Sequence, residues 1–217
     1  MSRRVLGLVM AFGSGVLISA VAYELVGDAV QEADRGVSVA AGLFAGSAVF
    51  FVGDALIDRL GGEHRKDAGG KQVTGSPLAI VLGIVLDGIP ESVVIGLGLL
   101  EGSAPSVAVI VAVFLSNLPE AAAASAGLSQ SGWRPLRLYA LWGLVVLVSG
   151  LSSLAGYAFF GDASGDLLAF MSAFAGGAIL TMLADTMMPE AFAQGGKLVG
   201  VFTTLGFALA FAISALE

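Results

Sequence analysis

Apolar residues run through this chain in long blocks, and polar residues mark the gaps between them. The blocks fall at about 5–26, 37–57, 77–100, 104–127, 135–160, 167–188 and 193–216, each near the roughly 20 residues that a helix needs to cross a bilayer. The pattern predicts an all-α integral membrane protein of about seven transmembrane helices, a single membrane domain over residues 1–217. The connections are short except 58–76, DRLGGEHRKDAGGKQVTGS. Its charge and glycine content predict a flexible loop.

Charge placement orients these spans. Nine of the ten Lys and Arg fall on one side: Arg3, Arg4, Arg59, Arg65, Lys66, Lys71, Arg134, Arg137 and Lys197. Only Arg35 falls on the other. The positive-inside rule then puts the N-terminus and the 58–76 loop in the cytoplasm and the C-terminus outside, in a plasma or inner membrane. Trp133, beside Arg134 and Tyr139, reads as an interfacial anchor. The start, MSRR before an apolar run that continues to Tyr23-Glu24, reads as an uncleaved first helix rather than a signal peptide.

Composition agrees with a bilayer setting. The chain is 57 % hydrophobic and 12 % charged, about half the charged share of a soluble domain. The net charge of -7 is split between loops and membrane and points to no nucleic acid. With no Cys and one His, His64 in the charged loop, disulfides, thiolate sites and histidine-based zinc chemistry within the membrane are excluded. No HExxH, no membrane Ser-His pair and no phosphate loop is present, so an enzyme is not expected. Gly42-xxx-Gly46 and Gly196-xxx-Gly200 have close-packing spacing; ordinary helix packing accounts for them, and a homodimer face is the alternative.

The chemistry lies between Ile84 and Leu128, where two Pro-Glu pairs, Pro90-Glu91 and Pro119-Glu120, interrupt apolar runs. Asp87 and Glu91 share a helical face, as do Ser116 and Glu120, and Asn117 lies within a turn of Glu120. Pro90 frees the carbonyl of Leu86, and Pro119 that of Leu115. Freed carbonyls are tolerated at membrane depth where they are buried or line a wet cavity. Carboxylates there are costly and functional by default, and no Lys, Arg or His lies between Lys71 and Arg134 to neutralise them. Together the halves offer an oxygen-rich pocket suited to a divalent cation. A protonated, hydrogen-bonded pair of acids, a metal-free proton relay and a plain helix start at Pro-Glu are the competing readings. Asp185 and Glu190, with Glu24 and Asp28, are weaker candidates. Under this topology all four are read as outside-facing, forming a cation entrance or second site, with solvated helix ends as the plain alternative. Asp54 reads as interfacial.

Internal similarity links these features. Ala11-Phe-Gly-Ser-Gly-Val-Leu-Ile-Ser19 aligns with Ala173-Phe-Ala-Gly-Gly-Ala-Ile-Leu-Thr181 at an offset of 162, which also pairs Asp28-Ala29 with Glu190-Ala191. Asp87-Gly-Ile-Pro-Glu91 aligns with Ser116-Asn-Leu-Pro-Glu120 at an offset of 29. Both pairs lie on spans of opposite direction, the signature of an inverted repeat with substrate bound between the halves.

These residues resemble the ZIP family of metal-ion transporters. Two adjacent helices of that family carry His-Asn-x-Pro-Glu-Gly-like and His-Glu-x-Pro-Glu-like motifs that form a binuclear metal site. Phe12–Leu25, LADTMMPEA at 183–191 and the loop before the motif helices are similar too. The resemblance implies a divalent metal cation transporter (Zn, Mn, Fe or Co) working by alternating access, with metal ligands Asp87, Glu91, Ser116, Asn117 and Glu120. A sensor that binds metal without transport, or a proton-coupled carrier of another cation, is the alternative. Asp87 and Ser116 stand where the family has His, Gly88 where it has Asn, and Thr186 where it often has Glu, which argues for a one-metal site. The family usually has eight spans, so seven with an inside N-terminus matches either loss of the first or a start that lies upstream.

Overall fold

Local chemistry sets the helix starts. Ser2 precedes α1 (Arg3–Ala20), and its hydroxyl accepts a hydrogen bond from the Val5 N–H at 3.3 Å, an N-cap. A π-helical turn, Val21–Leu25, leads into α2 (Val26–Glu32). α3 (Gly36–Ile57) follows. Pro77 opens α4 (Pro77–Gly98), Ser106 caps α5 (Val107–Gln130), and Pro135 opens α6 (Pro135–Phe160); a proline in the first turn gives up an N–H that has no helical partner anyway. α7 (Gly165–Met182) passes through a second π-helical turn, Leu183–Met187, into α8 (Met188–Gly195), and α9 (Val199–Ser214) ends the fold.

The structure is a computed structural model and describes residues 2–34, 36–62, 76–100 and 106–216. Among them every regular element is a helix. Of the segment expected as a flexible loop, 63–75 lies outside the described residues, with His64. Its first part, Asp58–Gly62, instead prolongs α3 as a π-helical turn with Gly61 at φ 93°.

Among the described residues, six helical stretches are long and apolar enough to cross a membrane, against the seven expected. Spans six and seven fall together in one 50-residue stretch, Gly165–Ser214. Helical backbone resumes just after the break, so the stretch reads as continuous. The break is Gly196, at φ 66° and ψ -148°, a conformation that glycine adopts without a side-chain clash.

Glycine seams hold the helices together. A Cβ on Gly46 of α3 would lie 1.8 Å from the Phe174 carbonyl of α7, and one on Gly206 of α9 would lie 2.0 Å from the Phe12 carbonyl of α1. A Cβ on Gly177 would lie 2.1 Å from Leu43 O, and one on Gly15 would lie 1.9 Å from Thr203 O. Thus α3 lies on α7 much as α9 lies on α1. α6 seats on α4 in the same manner, with Gly96 against Ser153 O and Gly156 against Val93 O. Gly42 is likewise used inside the chain, where a Cβ would lie 2.3 Å from Phe170 O, whereas Gly196 and Gly200 face open space. The first stretch, Arg3–Glu32, is the central one: 67 % of an 18-residue apolar window within it is buried, against 6 % for that in α6.

The two arms, α1–α2 and α7–α8, run antiparallel. Gly7 near the start of α1 abuts Gly195 at the end of α8, where an added Cβ would lie 2.6 Å from the Gly195 N, while Gly165 at the start of α7 abuts the end of α2, where an added Cβ would lie 2.8 Å from the Glu32 carbonyl. This overturns the expectation that Glu24, Asp28, Asp185 and Glu190 share the outer face. The second arm runs back through the molecule. Glu24 and Asp28 therefore lie toward one end, and Asp185 and Glu190 toward the other.

Candidate functional site

The site is built where α4 meets α5. Pro90 and Pro119 both lie inside their helices, neither of which breaks. Pro119 is buried and lacks the N–H that would bond to Leu115 O. α1 covers that turn: a Cβ on Gly13 would lie 3.0 Å from Leu115 O and 3.2 Å from Ser116 Cα. Glycine at 13 thus lets the central helix close over the backbone beside the site.

Glu91 is the centre of the polar contacts. It is 3 % exposed. The Asn117 amide Nδ2 donates to its Oε2 at 2.6 Å, and the Ser116 hydroxyl lies 3.1 Å from its Oε1. Asn117 Nδ2 also donates to Val113 O at 2.8 Å, which its second hydrogen permits. Ser116 Oγ lies 3.0 Å from Val113 O as well; its single proton serves one of the two acceptors at a time. Ser92 Oγ donates to Gly88 O at 2.6 Å. Asp87 is buried one turn before Glu91, and Glu120 is half-buried on α5. Both lie close enough to act on Glu91 electrostatically.

The structure therefore brings together Glu91, Ser116 and Asn117 across two helices, with Asp87 and Glu120 around them. It does not gather them as a metal cage: among the described residues no three of His, Cys, Asp and Glu are grouped to hold a metal ion. Two of the expected ligands, Ser116 and Asn117, are here hydrogen-bonding partners of Glu91. The amide and hydroxyl take one lone pair on each carboxylate oxygen and leave a second on each. Glu24, Asp28 and Glu190 are half-buried near the arm ends, and Asp185 is exposed. Glu190 Oε1 accepts from Gln194 Nε2. Thr186 donates back to Met182 O at 2.7 Å. Asp54 is 7 % exposed, so it is more buried than an interfacial residue need be.

Two features escaped the sequence reading. Thr181 Oγ1 donates to Ser47 Oγ at 2.7 Å, tying α7 to α3 inside the bilayer span. Small hydroxyl residues in apolar helices carry no signal of their partner until the helices are paired. The π-helical turns are the other: an extra residue per turn leaves no mark in an apolar pattern. Compared with known family models and with curated proteins, the chain matches none.

Proposed function

We propose that this chain is a ZIP-like carrier of divalent cations, working by alternating access. Glu91 and Glu120 are the carboxylate ligands of one ion, with Asp87, Ser116 and Asn117 around them. The chain crosses a cell membrane seven times, the 50-residue stretch Gly165–Ser214 counting twice, with the N-terminus cytoplasmic and the C-terminus outside. The reading rests above all on one observation: Glu91 is buried deep within an apolar helix and is reached by Ser116 and Asn117 from the neighbouring Pro-Glu helix. The matched seams on α1–α9 and α7–α3 support an inverted repeat, with substrate between its halves. A bound ion takes the lone pairs of the Glu91 carboxylate that the amide and hydroxyl donors leave open, each oxygen having two. Oxygen ligands without imidazole favour harder ions such as Mn over Zn.

Equilibrium binding to the purified protein tests this. Mn, Co and Zn are expected to bind competitively, with binding weakened at least about tenfold, some 1.4 kcal/mol, by Glu91→Gln. Asp87→His should move the preference toward Zn. Unchanged binding in Glu91→Gln removes the site from the reading. The hydrogen bonds that Asn117 and Ser116 give Glu91 favour a second reading, a buried carboxyl that relays protons without a metal. Proton flux without any divalent-ion binding would select it.

A further inference from the structure

The two π-helical turns stand in matching places. Val21–Leu25 and Leu183–Met187 have five residues each and begin 162 positions apart. The rods before them, Arg3–Ala20 and Gly165–Met182, have 18 residues each and start at the same offset. The tails after them, α2 and α8, also begin 162 apart, at Val26 and Met188. The sequence similarity lies in the rods and, at Asp28-Ala29 and Glu190-Ala191, in the tails; the turns between them recur as backbone geometry. A π turn carries one residue more than the α ladder accommodates and is a place where helices bend.

Each tail docks on the other arm. Ala29 of α2 is fully buried against Val39, Ala169 and Ala173. Ala191 of α8, its counterpart at +162, is fully buried where Gly7 of α1 meets the Ala191 carbonyl. Each tail therefore covers the start of the opposite rod, at opposite ends of the molecule. Next to the first turn stands Gly27 and next to the second Pro189, again 162 apart; both weaken the helical ladder.

We infer that the π turns are paired hinges, and that α2 and α8 are the gates at the two ends, swinging off α7 and α1 in alternation. This rests on the alternating-access reading and adds which segments move. Asp28 and Glu190 are carried on the moving tails, so each end presents its acid as its gate opens.

The chain has no Cys, so single thiols report directly. Ala29→Cys and Ala191→Cys place them beneath the closed tails. A membrane-impermeant maleimide should label Ala29→Cys from the side opposite the N-terminus and Ala191→Cys from the N-terminal side. Addition of Mn should speed one reaction and slow the other, each by about threefold or more. Gly27→Ala adds a Cβ that meets only Ala22 O, at 3.4 Å, and should slow labelling of Ala29→Cys severalfold while sparing Ala191→Cys. Pro189→Ala should do the reverse. Labelling of both thiols from one side, rates that rise and fall together, or rates blind to both hinge variants overturn the inference. The sidedness and the hinge effects are read without any cation. A chain that fails to bind metal but passes them loses its proposed substrate and keeps its gates. A chain that transports Mn with both thiols fixed and unreactive keeps its substrate and loses them.

Discussion

At the residue scale, the molecule spends polar contacts on Glu91. A buried carboxylate in a membrane span needs its oxygens satisfied, and Asn117 and Ser116 do this from the next helix. Asn117→Ala is therefore expected to lower stability by about 1–3 kcal/mol, the cost of stranding a buried acceptor; thermal unfolding in detergent measures it. Glycines divide by what surrounds them. Gly46→Ala and Gly206→Ala drive a methyl into a carbonyl at 2.0 Å or less and should each cost about 1–3 kcal/mol. Gly143→Ala and Gly150→Ala meet nothing within 4 Å and should be neutral or gain up to about 1 kcal/mol from helix propensity. The same melting experiment ranks all four. The sequence carried Asp87, Glu91, Ser116, Asn117 and Glu120 as a group because their spacing on two Pro-Glu helices is visible as text. It did not carry their roles, because whether Asn117 offers an oxygen to a cation or an N–H to Glu91 depends on a rotamer.

At the element scale, helix identity was legible and helix ends were not. Apolar blocks predict where helices lie, but backbone hydrogen bonds continue past the membrane edge. The first helical stretch thus runs to Glu32 rather than about residue 26. The corner at Gly196 was hidden because one glycine in an apolar, glycine-rich stretch looks like the others; only its φ of 66° distinguishes it. Gly196→Ala must hold an L residue in that conformation and should cost about 1 kcal/mol or more, read as a lower melting temperature. Asp185 and Glu190 close the sixth apolar block, which alternation of the spans returns to the side of the N-terminus, and the contact of Gly7 with Gly195 places them there, away from Glu24 and Asp28.

At the scale of the whole molecule, the chain is two arms that embrace one another, each with its own partner helix. α1 carries α9 and α7 carries α3, through seams that match carbonyl for carbonyl. α4 and α5 lie between, and α6 seats on α4 alone of that pair by a glycine seam. The membrane class was legible from charge and hydropathy because the bilayer imposes them on any chain. The identity of a carried ion is set by a few oxygen positions and leaves almost no trace in composition. The central claim is that the α4–α5 site moves divalent cations. Its most direct measurement is uptake of Mn, Zn, Fe, Co and Mg into liposomes containing the purified chain, beside the same chain with Glu91→Gln. The account predicts saturable uptake of at least one of these ions, lost in the variant while its fold is retained. No uptake of any of them, or uptake that Glu91→Gln leaves intact, would contradict it.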